Sequence, residues 1–265
     1  LIFVILSGFF GLNQLSIADD CTDQHTDPNW NCQSWSNDIE ETIQFPGYNC
    51  DVTVVYDKRS CLESNTNDCF FDNKEIIQVR IKSISWDWTL CPTLTQYVMP
   101  GYPNNFVFMD NRLAGLIQDA TGILSESWFE DLYNSFNQTE KMYVECSGTP
   151  PDNCQAPTLQ CQPFQTQSIR SQCMAMCVTK DRENTNRLVF GVSPCITDPY
   201  VCCVTERYYC ACVDPNDPNN VDFIEYEVKT YGSGTCDNSV PPGDFCGEGP
   251  YKVVGTDSCS TYCTD

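Results

Sequence analysis

The sequence predicts a mainly β, disulfide-rich β-sandwich with a two-helix insertion, and three observations predict it. About eight segments rich in β-branched and aromatic residues recur between turn signals, the pattern of packed antiparallel sheets. Only one stretch, about 110–138, switches to helical spacing. The chain also places 20 cysteines among 265 residues, an even number at a density that belongs to an oxidising compartment.

The first eighteen residues, LIFVILSGFFGLNQLSIA, admit two readings. In one, residues 1–12 are the apolar core of a secretory signal and Ser16-Ile17-Ala18 a cleavage site before Asp19. In the other, Leu1, Ile2, Phe3, Val4, Ile5 and Leu6, with Phe9 and Phe10 after a Ser-Gly break, form a strand buried on both faces. A detached apolar strand on a polar tether is what donor-strand addition requires. Both readings place the protein outside the cytoplasm, secreted or at the cell surface. Residues 19–47 read as a polar arm tethered through Cys21 and Cys32, and residues 48–265 as the sandwich.

From Cys50, Val52, Val54 and Tyr56 alternate with polar neighbours, a half-buried strand. Ile77, Val79, Ile81, Ile84 and Trp86 form a second strand, whose change of parity between Ile81 and Ile84 predicts a bulge. Leu113, Leu116, Ile117 and Ala120 repeat at helical spacing, with Gly122 as the expected stop. Trp128, Phe129, Leu132, Tyr133 and Phe136 make a second helix. Further strands are expected over 141–146, 172–180, 187–192, 201–213, 221–231 and 251–255.

The disulfide candidates singled out are Cys21, Cys32, Cys50, Cys61, Cys69, Cys91, Cys173, Cys177, Cys202, Cys203, Cys210, Cys212, Cys259 and Cys263. Side-chain alternation puts Cys173 and Cys177 on one face of their strand and Cys202, Cys210 and Cys212 on one face of theirs. If the two strands pair, bridges between them become geometrically possible, with the Cα separations deciding. Cys173-x₃-Cys177 and Cys259-x₃-Cys263 have zinc-like spacing, but among so many cysteines structural bridges are the favoured reading.

Catalytic signatures are absent: the sequence has no Gly-x-Ser-x-Gly, His-Glu-x-x-His, P-loop or Rossmann pattern. Nothing in the spacing of the acids singles out a catalytic pair. A net charge of −22 repels phosphates and anionic lipid, so neither nucleic acid nor stable membrane insertion is expected. No cofactor is expected. Asp214, Asn216, Asp217 and Asp222 offer oxygen ligands in a Pro/Asn-rich loop, a weak calcium candidate lacking the EF-hand glycine and glutamate. Tyr97, Tyr102, Phe106 and Phe108 offer either a carbohydrate platform or a cover for a core edge.

At Cys50-Asp-Val-Thr-Val-Val-Tyr56 and Cys202-Cys-Val-Thr-Glu-Arg-Tyr-Tyr-Cys210, the chain resembles secreted, cysteine-containing proteins of unassigned function from Bacteroidota-type bacteria. The similarity spans residues 48–263 and carries no catalytic residues over. Residues 1–10 resemble the donor strands of pilus subunits, which implies an immunoglobulin-like β-sandwich completed by a neighbour's strand. The function expected is therefore a non-enzymatic subunit of an extracellular filament, its partners other copies of itself. The alternative is a monomeric secreted binding module with residues 1–18 removed.

Overall fold

A computed structural model describes residues 26–64, 71–147, 154–155, 164–171, 173–181, 183–195, 202–214, 216–232, 252–255 and 260–261. Its strands are β1 (Asn31–Cys32), β2 (Ser36–Phe45), β3 (Cys50–Ser64), β4 (Asn73–Asp87), β5 (Phe164–Ser171), β6 (Cys173–Lys180), β7 (Arg187–Pro194), β8 (Cys202–Asp214), β9 (Asp217–Tyr231), β10 (Lys252–Gly255) and β11 (Ser260–Thr261). The helices are α1 (Pro92–Val98), α2 (Asp110–Ser135) and α3 (Gln138–Val144). The chain is mainly β, as the sequence predicts.

The antiparallel pair β3–β4 is the spine, with β2 and β1 along the outer edge of β3. The other edge of β4 is divided. Glu75 to Val79 pair in parallel with β5, whereas Ser83 to Asp87 pair antiparallel with β7. The sheet therefore forks into an arm β5–β8–β9 and an arm β7–β6–β10, with β11 also on β6. Among the described residues, all eleven strands belong to this one hydrogen-bonded network rather than to two separately paired sheets. The fork falls where the β3–β4 register slips, Val55 facing Ser83 and Tyr56 facing Ile81. That slip is the bulge expected between Ile81 and Ile84. It leaves Lys82 unopposed, and its ammonium donates to Asp38 at 2.8 Å and reaches Asp57 at 2.9 Å.

One face of the sheet carries the apolar core: Val52, Val54 and Tyr56 of β3, Ile77, Val79, Ile84 and Trp86 of β4, with Met174, Met176 and Val178 of β6. Against it packs α2, burying Leu113, Leu116, Ile117, Ala120, Leu124, Trp128 and Phe129. The two helices expected over 110–138 are one helix that runs through Gly122 to Ser135, a correction to the sequence reading. Tertiary contacts outweigh the modest cost of a mid-helix glycine: the Tyr209 hydroxyl lies 3.2 Å from the Gly122 carbonyl.

Two other expectations are corrected. The strand expected over 141–146 is largely α3, because Asn137 caps the Thr139 and Glu140 amides while the Glu140 carboxylate accepts from the Asn137 amide. This reciprocal capping box satisfies free amide groups that an apolar run alone leaves open. The arm expected over 19–47 contains β2, whose Ile39, Ile43 and Phe45 turn inward. Glu41 interrupts that alternation and is satisfied by the Tyr56 hydroxyl at 2.7 Å.

Disulfides join Cys32 to Cys61 across β1–β3, Cys50 to Cys91 from β3 to the start of α1, and Cys146 to Cys210 and Cys154 to Cys212 onto β8. Cys177, Cys195 and Cys203 are disulfide-bonded as well. Strands β6 and β8 lie in different arms, so the condition for bridges between paired strands is not met among the described residues; Cys210 and Cys212 are bridged to Cys146 and Cys154, two cysteines outside the candidates singled out from sequence. Among the described residues no helix is long and apolar enough to cross a membrane.

Candidate functional site: an acidic, aromatic-walled cleft

On the helix-covered side of the sheet, an open cleft of about 390 Å³ is lined by Phe45, Pro46, Tyr48, Asp119, Gly122, Ile123, Glu126, Arg207, Tyr209 and Glu225. Its size falls at the small end of ligand pockets. Three structural pieces build it, and each follows from local sequence.

The floor is a stripe of α2. Asp119, Gly122, Ile123 and Glu126 stand at i, i+3, i+4 and i+7, so they share one helix face. The opposite helix face is buried in the core, which leaves this stripe for the cleft. The first wall is the β2–β3 turn, where Gly47 (φ +82°) and Asn49 (φ +49°) take the left-handed conformations that reverse the chain. Such residues favour those φ values, and the turn brings Tyr48 over the cleft. The second wall comes from β8 and β9. Arg207 and Tyr209 alternate onto the same face of β8, and a register slip after Tyr208 sets Glu225 opposite Tyr209.

Arg207 organises this wall. Its guanidinium pairs with the Glu225 carboxylate and donates to the Gln118 carbonyl of α2 at 3.2 Å. A Cβ on residue 122 would sit 3.5 Å from a guanidinium nitrogen of Arg207, an ordinary van der Waals contact that places the guanidinium directly against this turn of the helix. The Tyr209 hydroxyl is 3.2 Å from both the Gly122 carbonyl and the Glu225 carboxylate. Burial, then the neighbouring Glu225 charge, push this phenol's pKa upward.

Asp119 and Glu126 have no such support. Among the described residues neither makes a hydrogen bond or an ion pair. Burial raises the Asp119 pKa, and the attraction of Arg207 only partly offsets it. Burial also raises that of Glu126, with the charges of Glu130, Glu225 and Asp222 adding to it. Tyr48 is pushed up by burial, then by Tyr97 and Asp119. Its ring lies 5.9 Å from that of Tyr97, over which the Arg112 guanidinium stands at 4.9 Å.

The residues singled out from sequence fall largely elsewhere. Leu1, Ile2, Phe3, Val4, Ile5, Leu6, Phe9 and Phe10 lie outside the described residues, as do Cys21, Cys69, Cys259 and Cys263. Cys173 and Cys202 open β6 and β8. The weak calcium candidate is not assembled: Asp214 and Asp217 accept from the Asn216 and Asn219 amides at 2.8 and 3.2 Å. These are turn contacts, and Asp222 lies up the hairpin, opposite Cys212. Among the described residues no cluster of three or more metal-ligating side chains exists. Of the aromatic platform, Tyr102 is buried between Trp88 and Phe106, whereas Tyr97 is exposed beside Tyr48. The cleft residues went unnoticed in the sequence because two acids among 36 carry no signal. The i, i+7 spacing of Asp119 and Glu126 around Gly122-Ile123 was the one cue.

Compared with known proteins, the chain matches no family model, no curated protein and no solved structure.

Proposed function

We propose that this chain is an extracytoplasmic binding module, locked by disulfides, that recognises a small ligand or a partner's side chain in the cleft between α2, the β2–β3 turn and the β8–β9 wall. The cleft carries the reading. It joins an apolar and aromatic wall to a few convergent polar groups, the composition of recognition pockets in general. The module binds rather than catalyses, and the disulfides suit a protein that works in an oxidising medium.

A second reading is favoured by one feature of the sequence, the six consecutive apolar residues Leu1–Leu6. Inserted into a neighbouring protomer, they make the chain a filament subunit. Five or six large side chains at about 1.5–3 kcal/mol each give on the order of 10 kcal/mol before entropy losses. In this reading the two arms of the forked sheet serve as the leaves of an immunoglobulin-like sandwich that a donated strand completes. It ranks second because β2 and β9, each paired on one side only among the described residues, carry Asp38, Glu40, Asp222, Glu225 and Glu227. Charged edges resist strand addition.

One experiment separates the two. The secreted protein is sequenced at its N-terminus, imaged by negative stain, and titrated by NMR with a panel of small cations, neutral sugars and anions. A monomer whose Tyr48, Gly122 and Glu225 resonances move with one panel class supports the module. Filaments that vanish on deletion of Leu1–Phe10, with no cleft resonance moving, replace it by the subunit reading.

A further inference from the structure

Resting on the binding reading, we infer that the cleft takes a cationic group, an ammonium or guanidinium on a short apolar stem. The charges in the cleft do not balance. It holds three carboxylates and one guanidinium, and that guanidinium is committed to Glu225 and the Gln118 carbonyl. Asp119 and Glu126 are left as two acceptor-only groups with no donor among the described residues. Each keeps an open approach, since both side chains reach solvent at the cleft mouth while the cleft walls shield their carboxyls only in part. A bound cation replaces the water at each carboxylate with a charge-assisted bond, the stronger kind.

Geometry narrows the ligand further. Asp119 and Glu126 are seven positions apart on the helix, about 10 Å along its axis. Between them lie Gly122, with no side chain, and Ile123, an apolar stretch that shares the cleft lining with Phe45 and Pro46. An aliphatic stem fits that stretch, as lysine and arginine stems commonly lie along apolar surface. The Tyr48 ring also lines the cleft, and an aromatic face attracts a cation. The surrounding charge of −22 concentrates cations near the protein and repels anions, which aids encounter without adding specificity. The same chemistry reaches the cleft from two sources, a basic side chain on another protein or a free diamine.

The full chain is titrated by NMR at low ionic strength with 1,5-diaminopentane, with acetyl-Gly-Lys-Gly-amide and acetyl-Gly-Arg-Gly-amide, and with cellobiose and acetyl-Gly-Glu-Gly-amide as neutral and anionic controls. The cations are expected to shift the amides of Tyr48, Gly122, Ile123 and Arg207, and the controls to leave them still. Tighter binding of the peptides than of the diamine assigns a protein side chain, and the reverse a free amine. The double change Asp119→Asn, Glu126→Gln is expected to weaken cation binding about tenfold. The pair Glu183→Gln, Asp217→Asn removes equal charge away from the cleft and is expected to leave affinity unchanged. Equal losses from both pairs would show diffuse counter-ion attraction and overturn the inference. Cellobiose shifting the cleft amides while the cations do not keeps the binding reading and rejects the cationic ligand. If no probe moves them, both fall.

Discussion

At the scale of single residues, the cleft holds side chains that work against folding. A carboxyl whose pKa is raised in the folded state is harder to ionise there than in the unfolded chain, so its charge destabilises the fold. For Asp119 and Glu126, burial is the leading cause of the rise. The sign follows directly. At about pH 3 and below both groups are largely neutral in either state and exert little effect. As pH climbs through the unfolded and then the raised folded values, the unfolded chain releases protons first and stability falls. At neutral pH the cost is complete. Asp119→Asn and Glu126→Gln should therefore raise the urea midpoint at pH 7 and leave it unchanged near pH 3. Urea titrations of both variants at the two pH values check this. A lower midpoint at pH 7 would mean that the charges are held by favourable partners, contrary to the geometry. A group kept at a stability cost inside a cleft is what recognition sites commonly contain.

At the scale of elements, the face of the sheet away from α2 is held by a polar rung. Arg59, Gln78, Gln167, Glu206 and Lys229 stand in register on β3, β4, β5, β8 and β9. The Arg59 Nε donates to Gln78 at 2.6 Å, Gln78 to Gln167 at 2.9 Å, and Gln167 to Glu206 at 2.9 Å. Gln78 and Gln167 are almost wholly buried. Gln78→Leu alone removes the acceptor of the Arg59 Nε bond and the donor to the Gln167 carbonyl, while Arg59 keeps its bond to Thr26 and Gln167 its bond to Glu206, and should cost about 1–3 kcal/mol. Adding Gln167→Leu removes one orphaned group and should cost less than the sum of the two single changes. A double-mutant cycle by chemical denaturation measures the coupling, and strict additivity would show that the rung is not a network. The same rung explains why β5 was illegible in the sequence. FQTQSIRS has little apolar content, and only its neighbours' amides make it a central strand. Strands β3 and β4 were legible, bulge included, because their apolar alternation faces one continuous core. The length of α2 and the nature of α3 were not, since a carbonyl contact at Gly122 and a capping box decided them. The cleft was least legible of all, because it joins a turn, a helix and a hairpin that only the fold brings together.

At the scale of the whole molecule, covalent links stand in for part of what self-repulsion at −22 takes away. Cys210 and Cys212 are two residues apart on one face of β8, and they hold Cys146 and Cys154. Cys146–Cys210 alone closes a separation of 64 residues, which in the chain-entropy view stabilises by about 4 kcal/mol. With it in place, Cys154–Cys212 closes a much shorter ring of roughly ten residues and adds about 3 kcal/mol. Either bridge makes the other's loop short, so loss of one costs the smaller amount whichever is lost. Loss of both forfeits about 7 kcal/mol, which is comparable with the whole stability of an ordinary domain. Replacing Cys154 and Cys212 by serine should therefore lower stability by about 3 kcal/mol and keep the fold. Replacing all four cysteines should bring the chain close to its unfolding midpoint without denaturant. Circular dichroism in urea, with the pairing of each variant verified by mass spectrometry of peptides cut without reduction, follows both steps. The bridged cysteines share the strand face with Glu206 and Tyr208, opposite the cleft residues Arg207 and Tyr209. The single-bridge variant should accordingly keep the cleft's ligand response, whereas the four-cysteine variant should lose fold and response together. A four-cysteine variant as stable as the parent would place the stabilising weight in the core packed against α2 and leave these bridges without a thermodynamic role.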